Sequence, residues 1–533
     1  MRQTRVGYQH AGLLVLALLI FVMSLAPRLA GRDTYVTLDE DNWLKRTAGF
    51  TYALWSGELR RTYQNGHPGV TTMWVGMLGM GQDQALQFST RLRGQGLIGR
   101  VPGFEAALVD ARAAMAVATS VLIAAVAVLT TRIWGSGVGA TAGLLLALDP
   151  FSIALGQILH VDGLLTGFMA VSALCLMTYW WQHGGRWFRV LAGLTAGLAA
   201  LSKTPGVFLL PFGAGVAFLA LMSRRVTLRH ALIGSLAFGS VFALSYVGFW
   251  PALWLAPGEM LGRVFAFLRE TGGQPHEGGS FFWLRQVADP GPLFYPTALA
   301  YRLGLGMCLG LAFLLLLARR LERKTFIGLV LLFIAGFGMM MTLGPKKFDR
   351  YVMPLVPMLA ILAAIGVWQA GAWAGTRLVG KPVLGSAVLA AVAVALQFQG
   401  VVSAYPYYLA YYNPLFGGTA GAAERVMVGY GEGLDQVATW LNARPNASGL
   451  WVGSHAFDIL QPQIDGQGES LRDRVPSQAD YIVLYRFQIQ VGQSPRVIDQ
   501  YLGKREPELV VQINGLDYAY VYPGPRRLTA SAP

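Results

Sequence analysis

The chain holds only two cysteines in 533 residues, Cys175 and Cys308, and both lie inside apolar runs. Neither a disulfide framework nor a thiolate metal site is indicated. Charge is scarce too: 13% of residues are charged, and the acids number 28 against 42 lysines and arginines. Internal repeats and low-complexity tracts are missing. What is present instead is hydrophobicity, 54% of residues with a mean hydropathy of +0.46, carried in long apolar runs. That pattern excludes a soluble enzyme with a greasy core and defines a polytopic α-helical membrane protein. A net charge of +14 in a soluble protein would point to nucleic acid; here the basic residues cluster between apolar runs, so no nucleic-acid partner is expected.

A helix needs ~20 apolar residues to cross a ~30 Å hydrocarbon core. Spans are predicted near 7–27, 109–131, 137–157, 162–181, 189–202, 205–222, 229–250, 295–318, 324–344, 351–373 and 382–403, about eleven in all. The first is an uncleaved signal anchor, because Pro27 directly follows Ser24, Leu25 and Ala26. Lysine and arginine next to spans are held in the cytoplasm. Placing the N-terminus inside collects Arg2 and Arg5, Arg132, Arg186 and Arg189, Arg224, Arg225 and Arg229, the run Arg319 to Lys324, and Arg377 with Lys381 on one side, interrupted by a single acid, Glu322. The hydrophilic segments 28–108 and 251–294 and everything after about 404 then fall on the extracytoplasmic side of the inner membrane. Residues 1–418 form the membrane domain and 419–533 a small α/β domain, with helical patterns at Leu434 to Leu441 and Val497 to Leu502 and strand patterns at Leu450 to Val452, Tyr481 to Tyr485, Leu509 to Ile513 and Tyr518 to Tyr522. The tyrosine-rich stretch from Tyr405 to Tyr412 suits an interfacial aromatic belt.

Against this background a few polar clusters break the membrane rules, and ionisable groups near spans are functional candidates by default. Asp39, Glu40 and Asp41 follow the first span. The bland account is a helix start with Thr37 as N-cap and Glu40 completing a capping box; the sharper one is a catalytic carboxylate, and the two are compatible. Lys203 sits halfway along the run 189–222, at the apex of an expected tight hairpin; alternatively it snorkels to the headgroups. Lys346, Lys347 and Arg350, with Tyr351, place three cations in a short external loop where topology disfavours them, which suits an anionic ligand or, less specifically, anionic lipid. His160 and Asp162 bracket another external turn. Asp149 before Pro150 reads as a turn residue and Asp162 as an N-cap. His67 and His276, the latter beside Glu277, lie in glycine-rich turns and are possible pocket residues. No spacing here makes a metal site; no metal or other cofactor is assigned, and a divalent ion held by Asp39, Asp41 and His276 stays open as an alternative.

A carboxylate and a group of cations at a membrane surface match one reaction well. A hydroxyl attacks a sugar carried on a lipid phosphate, the carboxylate takes the hydroxyl proton, and the cations stabilise the departing phosphate. The motifs Leu38-Asp-Glu-Asp41, Asp149-Pro150 with His160 and Asp162, Leu201-Ser-Lys-Thr-Pro-Gly206, and Lys346-Lys-Phe-Asp-Arg-Tyr351 with Pro354 and Pro357 resemble those of the C-superfamily membrane glycosyltransferases, of the dolichyl-phosphate-mannose protein mannosyltransferase and aminoarabinose transferase type. Tyr411-Tyr-Asn-Pro-Leu-Phe-Gly-Gly418 and Gly429-Tyr-Gly-Glu-Gly433 are similar to segments of bacterial members. The resemblance implies an inverting transfer from a polyprenyl-phosphate sugar to a hydroxyl of a protein, lipid or glycan, with Asp39 as base and Glu40 as its motif partner. It implies Lys203, Lys346, Lys347, Arg350 and Tyr351 as donor-phosphate contacts. The chain departs from the pattern at His160, where many members carry arginine, and in lacking a soluble module within 251–294. A transporter or flippase is the alternative of another class, against which stand the missing repeat symmetry and the gathering of polar groups on one face; an oligosaccharide transferase or polymer ligase is the enzymatic one.

Overall fold

The computed structural model describes residues 2–93, 99, 101–276 and 278–530; Glu277, the side chains of Arg2 and Arg5, and the last three residues of the expected C-terminal unit lie outside what it describes. Among the described residues eight helices are long and apolar enough to cross a membrane: Ala11–Leu29, Phe104–Trp134, Val161–Trp181, Thr204–Met222, Leu228–Gly248, Lys324–Leu343, Asp349–Val379 and Pro382–Ala404. Two further pairs, Ser136–Ala147 with Pro150–Gln157 and Phe294–Arg302 with Leu305–Leu316, are bent by 64° and 117°, and the number is ten when each pair is counted as one span. The polytopic membrane class is thereby borne out. The eleventh expected span is the helix Arg186–Ser202, whose 17 residues include two arginines in its first turn. Both it and the helix after Lys203 pack on Val161–Trp181 and Leu228–Gly248. The expected hairpin is made between them where Lys203 is extended and Pro205 opens a 3-10 turn.

The first of these bends has a local cause. Asp149 caps Pro150–Gln157 by accepting from the Ser152 N–H at 2.9 Å, and Pro150 occupies the first helical turn, where its missing N–H costs nothing. Asp162, by contrast, is no N-cap: His160 holds that position for Val161–Trp181.

Among the described residues three α-helices fill the segment between the first two spans, Glu40–Trp55, Val70–Met80 and Gln82–Arg93. The first begins at Asp39, not Thr37, and Asp39 adopts φ 74°, a left-handed conformation uncommon for a residue with a side chain. Gly69 starts the second at φ 58°, and any β-carbon there would collide with the Trp43 ring, so glycine is required. The segment 251–294 carries the helix Pro257–Phe267 and a hairpin of β1 (Ser280–Phe282) and β2 (Arg285–Val287).

Near the C-terminus lies a mixed five-stranded sheet of β3 (Trp451–Ser454), β4 (Gln467–Ser470), β5 (Tyr481–Tyr485), β6 (Leu509–Ile513) and β7 (Leu516–Pro523), in the order β4-β3-β5-β7-β6. Strands β4 and β5 flank β3 in parallel, and β5, β7 and β6 are antiparallel. The tyrosines after the last span depart from expectation. Tyr408, Tyr411 and Tyr412 are buried, and only Tyr405 of this group is well exposed. They wrap Arg302, which donates to the carbonyls of Leu409 and Tyr411 at 2.6 and 3.0 Å and to the Tyr412 hydroxyl at 3.0 Å. A buried guanidinium has to be surrounded by acceptors, and the tyrosine-rich turn supplies them.

Candidate active site

Three distant segments deliver the polar clusters to one place. Arg350 Nη2 lies 2.8 Å from Asp39 Oδ2, and Arg350 Nε lies 3.8 Å from Asp162 Oδ2. Lys203 Nζ is 2.8 Å from Asp162 Oδ1 and sits 4.1 Å over the Tyr351 ring. His160 bridges the two acids, with Nε2 3.8 Å from Asp39 Oδ2 and Nδ1 3.2 Å from Asp162 Oδ2. Two carboxylates thus face two permanent cations around one imidazole, which lets the group be buried without net charge. The acids differ in access: the Asp162 side chain is 1% exposed and that of Asp39 is 44% exposed. Burial alone would raise the Asp39 carboxyl, but the Arg350 guanidinium and the His160 contact outweigh it and hold Asp39 well below the usual carboxylate range.

Glu40, one residue on, is sealed. Its carboxylate is 0% exposed and is spent on five donors: Arg112 through Nε at 2.7 Å and through a short Nη2 contact, the Thr37 N–H at 3.0 Å, the Thr37 hydroxyl at 2.8 Å and the Leu159 N–H at 2.9 Å. It closes back on Thr37 as a capping box does, yet Thr37 here donates and is not the cap. By holding Leu159 it also fixes the entry of His160. Asp41 takes a hydrogen bond from Asn42 at 3.2 Å; burial pushes its carboxyl up to about 6, with Asp458 and Asp39 adding to the effect.

The loop after Gly344 divides. Lys347 turns away from Asp39 to Asp289 at 2.7 Å and the Gly344 carbonyl at 2.6 Å. Lys346 lines a neighbouring pocket with His276 and Phe348. His67 is packed edge-on against Phe267 at 4.7 Å; burial, helped by the charge of Lys203, pushes it down to about 3, so it is neutral. Among the described residues no three His, Cys, Asp or Glu side chains converge as metal ligands, and the trio of Asp39, Asp41 and His276 does not form one.

Sequence reasoning missed a second layer of support. Asp349 accepts from Arg302 Nε at 2.7 Å, from the Arg350 N–H at 2.7 Å and, in a short contact, from the Tyr430 hydroxyl. The Tyr430 ring stands 5.8 Å from the Arg350 guanidinium, and its carbonyl accepts from the Leu38 N–H at 3.0 Å. One residue of the Gly429-to-Gly433 turn therefore touches the supports of both Arg350 and Asp39. Gly431, at φ 115°, lets the turn lie against the Val36 carbonyl. The signal for Arg112 and Arg302 was available: each is a charge within an apolar run, the rule applied to Lys203 but not to them. Tyr430 falls in the Gly429-Tyr-Gly-Glu-Gly433 segment singled out above, but nothing local marks its contact with Asp349.

With this geometry in view, the comparisons define the class. Residues 103–250 match the sequence model of the family described as dolichyl-phosphate-mannose-protein mannosyltransferase. That segment holds His160, Asp162 and Lys203 and stops short of Arg350. The crystal structure of ArnT from Cupriavidus metallidurans bound to undecaprenyl phosphate overlays with a TM-score of 0.52 at 14% identity, covering 96% of this chain and 98% of ArnT. The oligosaccharyltransferase AglB from Archaeoglobus fulgidus, in complex with an inhibitory peptide and a dolichol-phosphate, aligns at 12% identity and a TM-score of 0.45 over 90% of this chain and 70% of its own. No curated protein sequence matches. At such identity the structural likeness concerns the fold alone, and it is the ArnT overlay that carries it. The chain has the fold of ArnT, and the resemblance drawn from its motifs is borne out by the match of residues 103–250 to the mannosyltransferase family.

Proposed function

We propose that this chain is an inverting glycosyltransferase that moves a sugar from a polyprenyl-phosphate donor to a hydroxyl acceptor on the external face of the cytoplasmic membrane, with Asp39 as general base. One observation carries the reading: a solvent-accessible carboxylate is paired at 2.8 Å with an arginine delivered by a membrane helix, beside a second cation, Lys203. In the transfer the acceptor oxygen forms a bond to the anomeric carbon and its proton passes to Asp39. The bond from that carbon to the phosphate oxygen breaks, and the electron pair leaves with the polyprenyl phosphate. Arg350 and Lys203 stabilise the charge on the leaving group, and Tyr351 holds the Lys203 ammonium against its face.

A carboxyl held low by an arginine is a weak base. On this reading the donor phosphate draws Arg350 away from Asp39, and the carboxylate becomes more basic as the substrate arrives. Glu40 then serves as a positioning residue, and Lys347 does not meet the phosphate. The division into a membrane domain, 1–418, and an external unit, 419–533, belongs to the same proposal, as does a cytoplasmic N-terminus.

The test is transfer by the purified protein in detergent from a panel of polyprenyl-phosphate sugars, wild type against Asp39→Asn. Loss of about 10²- to 10⁴-fold in turnover with donor binding retained is expected. Full activity in the variant removes Asp39 as the base.

A further inference from the structure

Beside the Asp39 centre, and separate from it, is a pocket of about 380 Å³ between the segment 251–294, the loop after Gly344 and the C-terminal unit. Its size is at the lower end of small-ligand sites. Glu270, Gln274 and His276 come from the segment 251–294, Lys346 and Phe348 from the loop, and Phe487 with Gln493 from the far side. The Phe348 and Phe487 rings are stacked, 14° apart in plane with centroids 6.3 Å apart, and supply the aromatic part of the lining. Among the described lining residues are also one acid, one cation and two carboxamides.

That combination is selective. A hydroxyl both donates and accepts a hydrogen bond, and a carboxamide is the side chain that offers both functions at fixed spacing. Among the described lining residues one Glu and one Lys add an acceptor and a donor. Aromatic lining suits the C–H face of a pyranose, whose polar groups point outward. His276 stands edge-on to Phe348 at 4.6 Å; burial first, and then Lys346 and Arg350, push it down to about 4, so it is a neutral donor and acceptor. Its Nε2 is buried without a hydrogen-bond partner among the described residues. The pocket also leads to the reaction centre: the Arg350 guanidinium is 5.2 Å from the Phe348 ring and 2.8 Å from Asp39.

We propose that this pocket is the acceptor site and that it takes a saccharide, one of whose hydroxyls reaches Asp39 past the edge of Phe348. The inference rests on the glycosyltransferase reading and narrows its acceptor from protein, lipid or glycan to glycan. In the step the saccharide hydroxyl oxygen bonds to the donor anomeric carbon, its proton goes to Asp39, and polyprenyl phosphate departs with the bonding pair.

Saturation-transfer NMR on the full-length protein in nanodiscs, with a mixture of chitobiose, cellobiose and maltose, reads binding directly. Saturation of ring protons in wild type, reduced at least five-fold by Phe487→Ala and by Gln274→Ala, is the expected result. Gln274 is exposed, so its replacement leaves folding intact and keeps the test decisive if Phe487→Ala does not fold. Absence of saccharide binding, or equal binding in both variants, overturns the proposal. Asp39-dependent release of polyprenyl phosphate from the donor, measured in parallel with water as acceptor, tells the two readings apart: its presence without saccharide binding leaves the transferase intact and removes the saccharide site. Binding without any donor turnover in the panel supports the saccharide site and counts against the transferase reading.

Discussion

Asp39 and Glu40 are adjacent in sequence, and their surroundings could hardly differ more. Glu40 is enclosed, with both oxygens committed to Arg112, Thr37 and the Leu159 backbone. Asp39 faces solvent on one side and has Arg350 at 2.8 Å as its one hydrogen-bonded cation, with His160 farther off at 3.8 Å. A carboxylate with every lone pair satisfied by protein is an anchor, since releasing any donor leaves a buried group unpaired. One with a single exchangeable partner can change that partner for substrate. The left-handed backbone at Asp39 makes the contrast possible by turning one side chain toward the cleft as the helix begins and the next toward the interior.

The contrast breaks most visibly under exchange of the two effects. Where Asp39→Asn removes turnover and leaves the melting temperature in place, Glu40→Gln leaves the Arg112 charge uncompensated at a buried site and costs about 3–5 kcal/mol of stability. Thermal unfolding of both variants in the same detergent checks this, and a marginal Glu40→Gln effect refutes the anchoring role. A smaller change is expected at Tyr430. Removing its hydroxyl in Tyr430→Phe deletes a hydrogen bond to the charged Asp349, about 1.5–3 kcal/mol, and loosens Arg350. Turnover falls by roughly ten-fold to a hundred-fold if most of that energy is felt in the transition state, while an unchanged kcat confines Tyr430 to fold support.

The smallest effect concerns Asp41 and is read from pH. Its carboxyl is raised in the folded protein from 3.8 to about 6, so between those values the folded state binds more protons than the unfolded one, and stability falls as pH rises through the window. Asp41→Asn should match wild type below pH 4, approached from the protonated side, and be the more stable of the two above pH 6. Melting temperatures at the two ends of this range decide it.

Much of this was legible in the residues. The cations at 203 and 346–350 and the acids at 39–41 stand out because a charge near a span is costly, and the structure brings Asp39, Lys203 and Arg350 together. The strands β5, β6 and β7 follow runs of β-branched and aromatic residues. Strand β4 did not show, because Gln467–Ser470 is a polar, largely exposed edge with no alternation to read. Two limits were of another kind. Which of Lys346 and Lys347 turns toward the neighbouring pocket depends on an irregular stretch ahead of the 3-10 turn Asp349–Leu355, and the role of Tyr430 depends on a contact across 81 residues. The bent helices read as continuous spans in the sequence, because their breaks carry no composition signal strong enough to give an angle.

The account turns on Asp39 taking a proton from the acceptor, and an acceptor without a proton tests that most directly. Azide is such a nucleophile, and Asp39→Gly both removes the carboxylate and suits the left-handed backbone at that position. Donor consumption by Asp39→Gly should be nearly absent with hydroxyl acceptors and restored by azide, giving a glycosyl azide of inverted anomeric configuration. Failure of azide to restore consumption in a variant that still binds donor, or hydroxyl transfer at the wild-type rate, would contradict it.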